Sequence, residues 1–200
     1  MNQSFFHTSF IVIFVTMLFV RMYYQYQAKR TRGKVEFKEG TLHVGIRAVL
    51  GAPLIIALFA YMFQPSILAR WQFALPEWLQ WVGVVLGVAS IPLIIWNHRA
   101  LGSNFASTLH VREEHTLATT GPYRWVRHPM YTIIFIHLFA ILLLTANWFV
   151  GGVLLGPLIL IVALRVQNEE NVMIEKFGDQ YLNYIQSTGR FLPRLGDLHG

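Results

Sequence analysis

His128–Leu164 reads HPMYTIIFIHLFAILLLTANWFVGGVLLGPLILIVAL, 37 residues without one Asp, Glu, Lys or Arg. A helix crosses the hydrocarbon layer of a membrane in about 20 residues. This run is too long for one crossing and fits two short ones. A polar Asn interrupts it at Ala146-Asn147-Trp148. The stretch therefore reads as a tight helical hairpin, Pro129–Thr145 and Trp148–Leu164, with the break between them.

Composition points the same way. The chain has 200 residues, 54% of them hydrophobic and only 13% charged, against about 25% charged in a soluble domain. Disorder requires the opposite balance, and one soluble core of this length would not hold so much apolar side chain. Cysteine is absent, which excludes disulfides, thiolate metal sites and a cysteine nucleophile. The length suits a single domain.

Three more apolar runs precede the hairpin. Met1–Val20 ends at Arg21 and passes into a basic stretch, Lys29, Arg30, Arg32, Lys34 and Lys38. Charge after the apolar part is the reverse of a secretory signal, so a retained helix is expected. The second run lies between Arg47 and Arg70, with its apolar centre at Val49–Phe63 and Pro53 inside it. The third, Trp78–Trp96, has Trp78, Trp81 and Trp96 where an aromatic belt would sit. It also contains Gly83-x-x-x-Gly87, a common pattern that permits close helix packing.

The expected fold is thus all-α and integral to the membrane, with five transmembrane helices, a cofactor-binding loop and a C-terminal helix. Residues 1–96 hold three N-terminal spans and 97–200 a catalytic half of one domain. With five spans, segments 21–47, 97–128 and 165–200 share one side and carry 15 of the 16 Lys and Arg, Arg70 being the exception. Basic residues concentrate on the cytoplasmic side. This places the N-terminus outside and the C-terminus and site in the cytoplasm. The net charge of +6 is then a matter of topology, and no nucleic acid is expected as a partner.

Polar residues gather in two cytoplasmic segments, the loop Asn97–His128 and the segment from Arg165 onward. The hairpin joins them, so they are expected to meet in a composite site. On a helix, Arg165 and Glu169 share a face. The bland reading of Arg165, Glu169 and Glu170 is interfacial solvation at a span end. His98, His110, His115 and His128, with Glu113 and Glu114, raise the question of a metal. No His-Glu-x-x-His and no repeated histidine box accompanies them, so no metal is expected. His128-Pro129 reads as a helix start and Gly121-Pro122 as a turn. Tyr123, Trp125 and Tyr131 read by default as interfacial anchors. Neither a Gly-x-Gly-x-x-Gly nor a Walker loop is present. His137, an ionisable group in the interior of the fourth span, reads as packed or hydrogen-bonded between helices, which speaks against a transporter. Spacing alone names no reaction.

The motifs themselves go further. Gly121-Pro122-Tyr123-Arg124-Trp125-Val126-Arg127-His128-Pro129-Met130-Tyr131 resembles the Gly-x-Tyr…Arg-His-Pro-x-Tyr element of the isoprenylcysteine carboxyl methyltransferase family. Leu101-Gly102-Ser103-Asn104-Phe105 resembles an element upstream of it. Arg165-x-x-x-Glu169-Glu170, Phe177-Gly178-x-x-Tyr181-x-x-Tyr184 and Arg190-Phe191-x-Pro193 resemble the C-terminal signature. The likeness covers about Leu101 to Pro193 and is greatest to the short, five-span prokaryotic members. Phospholipid N-methyltransferases share the Arg-His-Pro element and the paired glutamates less tightly.

The resemblance implies S-adenosylmethionine as methyl donor, with S-adenosylhomocysteine as product. It implies a cofactor pocket of Arg112, His115, Thr116, Leu117, Ala118, Tyr123, His128, Pro129, Met130, Tyr131 and Glu169, and places Arg165 at the substrate. The residue types suit the task. Glu169 can take the donor's ammonium or a ribose hydroxyl, and His128 and Tyr131 can donate to its carboxylate. Arg165 can hold an acceptor carboxylate at two points. A carboxylate acceptor is already ionised and needs no base, whereas an amine acceptor needs one. Arg cannot be that base, and Glu170 is then the catalytic candidate. The leading expectation is carboxyl O-methylation of an isoprenylcysteine-like lipophilic acceptor reached from the bilayer. The alternatives are a phospholipid or a small amine or thiol as acceptor, or a non-enzymatic scaffold or transporter subunit. Gly152-x-x-x-Gly156 does not decide an oligomeric state.

Overall fold

The computed structural model describes residues 2–31, 56–101 and 117–194. Arg112, His115, Thr116, Pro53 and the Leu-Gly-x-Asn-Phe element beyond Leu101 lie outside the described residues. Helix α1 is Asn2–Thr31, α3 is Glu77–Leu101, α4 is Pro129–Thr145, α5 is Trp148–Phe177 and α6 is Asp179–Ser187. Residues 56–63 are helical and are called α2. Short 3-10 turns occupy Pro65–Trp71 and Gly121–Arg124. Among the described residues there is no strand, only two isolated bridges, Gln72 with Asn147 and Val126 with Gly189.

The helices overrun the expected spans at their polar ends. Helix α1 continues past Val20 to Thr31, and α3 continues through Asn97–Leu101, which the sequence reading assigned to the loop. Neither extension contains a Gly or Pro to stop it. Helix α5 does not end at Leu164 but runs on to Phe177 and stops at Gly178, whose φ is +52°. At about 1.5 Å per residue its 30 residues exceed the ~30 Å hydrocarbon layer, so the polar turns after Leu164 stand beyond it.

Helix α3 lies at the centre, against α4 and α1. Its glycines make this possible. A Cβ on Gly83 would lie 2.9 Å from Leu143 Cβ and 3.1 Å from the Ala140 carbonyl. One on Gly87 would lie 3.0 Å from the Ile13 side chain. The Gly83-x-x-x-Gly87 pattern thus closes α3 on two helices at once. Just beyond it, Ser90 Oγ donates to the Gly87 carbonyl and sits 2.9 Å from His137 Nδ1, so His137 is hydrogen-bonded between α3 and α4 as expected. The outward faces are apolar, with Phe63, Val85, Ile159 and Leu164 all exposed. Three helices, Asn2–Ala28, Glu77–Leu101 and Trp148–Phe177, are long and apolar enough to cross a membrane, and α4 is a shorter apolar helix between them. The chain is built as an integral membrane protein.

The hairpin breaks where the sequence places it. Ala146 adopts the left-handed conformation (φ 43°), and its N–H reaches back to the Leu142 carbonyl at 2.9 Å. Asn147, fully buried, then caps α5: its Oδ1 accepts from the N–H groups of Phe149 and Val150, both at 3.1 Å. Its Nδ2 donates to the Leu68 carbonyl at 2.8 Å. One side chain therefore ends one helix pair and ties it to the segment before α3.

Substituting Asn147→Ala strands two buried N–H groups and a carbonyl, so a loss on the order of 2–4 kcal/mol is expected in thermal or denaturant unfolding in detergent. Gly83→Leu, which forces α3 off α4, is expected to be at least as damaging. Gly152→Ala, where an added Cβ meets nothing within 4 Å, is expected not to lower stability.

Candidate functional site

The site forms where the start of α4 meets the polar extension of α5 and the chain after α6. Gly121 opens the approach. Its φ is +62°, and a Cβ there would come within 2.7 Å of Ala100 Cβ, so only glycine fits the turn beneath α3. Arg127 and His128 follow, and His128 precedes Pro129 at the first helical position of α4. Proline suits that position because its missing N–H has no partner to lose.

Helix α5 presents two adjacent carboxylates on different faces. Glu169, with 22% of its side chain exposed, accepts from Tyr131 Oη at 2.8 Å and lies 3.5 Å from Arg165 Nη2. His128 Nδ1 lies 3.8 Å from its Oε2. Glu170, with 4% of its side chain exposed, faces inward. Its Oε1 accepts from Arg127 Nε at 3.0 Å and from Arg190 Nε at 3.2 Å, and His128 Nε2 lies 3.2 Å away. Arg190 Nη2 donates to its other oxygen and, at 3.2 Å, to Gln167. Burial would raise the Glu170 carboxyl, but the bonds from Arg190 and Arg127 outweigh it and hold it below the usual range.

The last described segment is sewn along the same edge. Gly189 N–H donates to the Trp125 carbonyl at 3.2 Å, Arg127 N–H to the Gly189 carbonyl at 2.8 Å, and His128 N–H to the Arg190 carbonyl at 3.0 Å. Thr132 Oγ1 donates to the Phe191 carbonyl at 2.8 Å. Arg127 also donates to the carbonyls of Ile185 and Thr188 at the end of α6, where a cation suits the helix dipole. Tyr184 Oη donates to the Tyr123 carbonyl at 2.6 Å. Burial pushes the Tyr184 and Tyr123 hydroxyls above their ordinary value. Burial, helped by Arg127, also holds His128 below its ordinary value despite the two glutamates, so the ring is neutral at pH 7.

Of the residues expected in the site, Tyr123, His128, Pro129, Met130, Tyr131, Arg165, Glu169 and Glu170 stand on this junction of α4, α5 and the tail. Leu117 and Ala118 are half-buried just before the Gly121 turn. Sequence reasoning missed Arg127 and Arg190 as partners of Glu170, although both stood inside the quoted motifs. It also missed Asn97. This side chain is fully buried on α3, with neither amide atom in a hydrogen bond of ordinary geometry among the described residues. It lies near enough to the Tyr123 hydroxyl to oppose its rise, without forming a bond of ordinary geometry. Among the described residues no group of three potential metal ligands occurs.

Fold and side chains together define a class: a helical membrane protein with a polar, partly buried cluster of charged residues at one end of its helices. The sequence model of the isoprenylcysteine carboxyl methyltransferase (ICMT) family matches residues 81–175, just under half of the chain. A protein-S-isoprenylcysteine O-methyltransferase of Dictyostelium discoideum is 28% identical over 133 residues, covering 58% of this chain and 50% of its own. That of Mus musculus is 32% identical over 94 residues, covering 46% and 33%. A methanethiol S-methyltransferase of Pseudomonas deceptionensis is 27% identical over 163 residues, covering 74% and 58%. The solved structure of the eukaryotic intramembrane Ras methyltransferase ICMT superposes with a TM-score of 0.53 at 24% identity, over 78% of this chain and 54% of that one. It shares the fold. The chain spans half or less of the length of these isoprenylcysteine relatives. The relatives are all methyltransferase enzymes by name.

A neutral His128 makes the fold acid-sensitive. The unfolded chain takes up a proton below about pH 6.5 that the folded site refuses, so stability is lost as pH falls through that value. Thermal midpoints in detergent are expected to drop between pH 7.5 and 5.5, and His128→Asn is expected to flatten part of that drop.

Proposed function

We propose that this chain transfers a methyl group from S-adenosylmethionine to a lipophilic acceptor at the cytoplasmic face of the membrane. The observation that carries this reading is Glu169. It is a partly exposed carboxylate on a span extension, hydrogen-bonded by one tyrosine, with a half-exposed arginine at 3.5 Å and a histidine nitrogen at 3.8 Å. A carboxylate so placed suits a ligand that brings its own positive charge.

The residues fit the donor. Glu169 would take its α-ammonium, with Tyr131 and His128 around it, and Leu117, Ala118, Tyr123, Pro129 and Met130 would line the approach. The donor supplies an electrophilic methyl on a sulfonium, and methyl transfer is an in-line displacement. The protein's task is then positioning, which can contribute roughly 7–11 kcal/mol. Arg165 has 41% of its side chain exposed, at the point where the polar end of α5 leaves the apolar layer. It has donors free for an acceptor carboxylate, and such an acceptor needs no base. Carboxyl O-methylation of an isoprenylcysteine-like substrate is therefore the leading activity. The site faces the cytoplasm with the basic segments, and the N-terminus lies outside.

A small thiol is the second reading. The relative whose match covers the largest share of this chain among those described above acts, by its name, on methanethiol. A thiol acceptor would give Arg165 a different task, since no carboxylate arrives for it to bind.

Calorimetry with S-adenosylmethionine in detergent tests the donor, and methylation of farnesylated N-acetylcysteine against methanethiol tests the acceptor. Glu169→Gln is expected to weaken donor binding about tenfold or more. Arg165→Ala is expected to leave donor binding near wild type and raise KM for the farnesylated acid. Folded wild-type protein that binds no donor, or equal loss of donor affinity in both variants, contradicts these roles.

A further inference from the structure

Glu170 stands behind the ligand-facing residues, yet it gathers more polar partners than any other carboxylate described. Arg127 Nε at 3.0 Å and Arg190 Nε at 3.2 Å both donate to it, and Arg190 Nη2 takes its second oxygen. Two guanidinium groups keep this carboxylate ionised, so it can only accept hydrogen bonds. His128 Nε2 lies 3.2 Å from its Oε1. That contact is a hydrogen bond only when the proton sits on Nε2.

The consequence appears on the other side of the ring. With its proton on Nε2, a neutral His128 has a bare lone pair on Nδ1. That nitrogen lies 3.8 Å from Glu169 Oε2. Two acceptors then face each other with no hydrogen between them. The Tyr131 hydroxyl does not fill the gap, because its proton already goes to Glu169 Oε1. Arg165 Nη2 approaches the same Oε1, 3.5 Å away. A pair of facing acceptors suits a group with several N–H donors and a positive charge.

We propose that Glu170 is a positioning residue: held by Arg127 and Arg190, it fixes the proton of His128 on Nε2 and so makes the Nδ1 lone pair, with Glu169, a two-point seat for the α-ammonium of the methyl donor. This rests on the methyl-donor reading of the site. It changes the part played by His128, which accepts from the ligand instead of donating to its carboxylate. It also gives Glu170 a task other than that of a base, since its oxygens are occupied whatever the acceptor is.

The tautomer is measurable without any variant. In protein labelled with 15N-histidine and held in detergent without ligand, His128, assigned by its loss in His128→Asn, is expected to carry its proton on Nε2. A proton on Nδ1 overturns the proposal. Glu170→Gln offers His128 an amide that can donate as well as accept, which releases the tautomer. Its affinity for S-adenosylmethionine is expected to fall about tenfold. Its affinity for 5′-methylthioadenosine, which keeps the nucleoside and lacks the amino-acid end, is expected to stay at the wild-type value. Equal loss for both ligands, or loss for neither, overturns the positioning role. Should Glu170→Gln not fold, the wild-type tautomer still decides. Wild-type protein that binds neither ligand overturns the methyl-donor reading, and the seat with it, whatever the tautomer.

Discussion

Asn147 and the left-handed Ala146 before it form the pivot on which the site depends. They reverse the chain after the 17 residues of α4, and α5 then descends alongside. Counting down from Trp148, a helix regains the level of Pro129 after about the same number of residues. That level is Leu164 and Arg165, and Glu169 and Glu170 follow within the next two turns, beside the residues that open α4. The register of the hairpin is therefore what sets Glu169 against Tyr131 and Glu170 against Arg127 and His128. One residue more in the turn would rotate α5 by about 100° and replace both glutamates with their neighbours.

The two glutamates show how neighbours in sequence come to do different work. Successive positions on a helix point about 100° apart. Glu169 looks across the open edge toward Arg165 and Tyr131. Glu170 looks inward, where Arg127 and Arg190 compensate its burial. A buried carboxylate with one cation would be costly; with two, its charge is satisfied. The ion cluster also joins three parts of the chain that lie far apart in sequence: the turn before α4, the polar end of α5 and the strap after α6.

Much of this was legible in the residues. The charge-free run and its single Asn marked the hairpin, with both edges of its turn where the structure has them, though not the far end of its second helix. The Gly83–Gly87 spacing was visible, but its weight was not, because the pattern is common and only the contact with Leu143 and Ile13 shows it in use. Helix ends were least legible: nothing in Asn97–Leu101 or in the turns after Leu164 breaks a helix, yet their polarity invited a loop and a tail. The Glu170 cluster could not be read at all. Arg190 lies 20 residues away, and the fold-back that returns it depends on Gly178 and on α6 docking through Tyr184. The likeness to a known family marked these residues as a set and was silent on who holds whom.

Helix α5 serves two masters. Its first half presents an apolar surface suited to lipid, with Ile159, Leu160 and Leu164 exposed. Its second half carries the partly exposed carboxylate of Glu169. Pro157 interrupts the hydrogen bonding of the first half, but from Leu158 to Phe177 the helix runs on without a Gly or Pro and transmits position along that length. A bilayer that is thicker or thinner than the apolar half prefers is accommodated by tilting or sliding the helix, at a fraction of a kcal/mol per Å. Any such movement carries Glu169 with it. The thickness of the surrounding lipid thereby bears on where Glu169 stands relative to Tyr131 and His128.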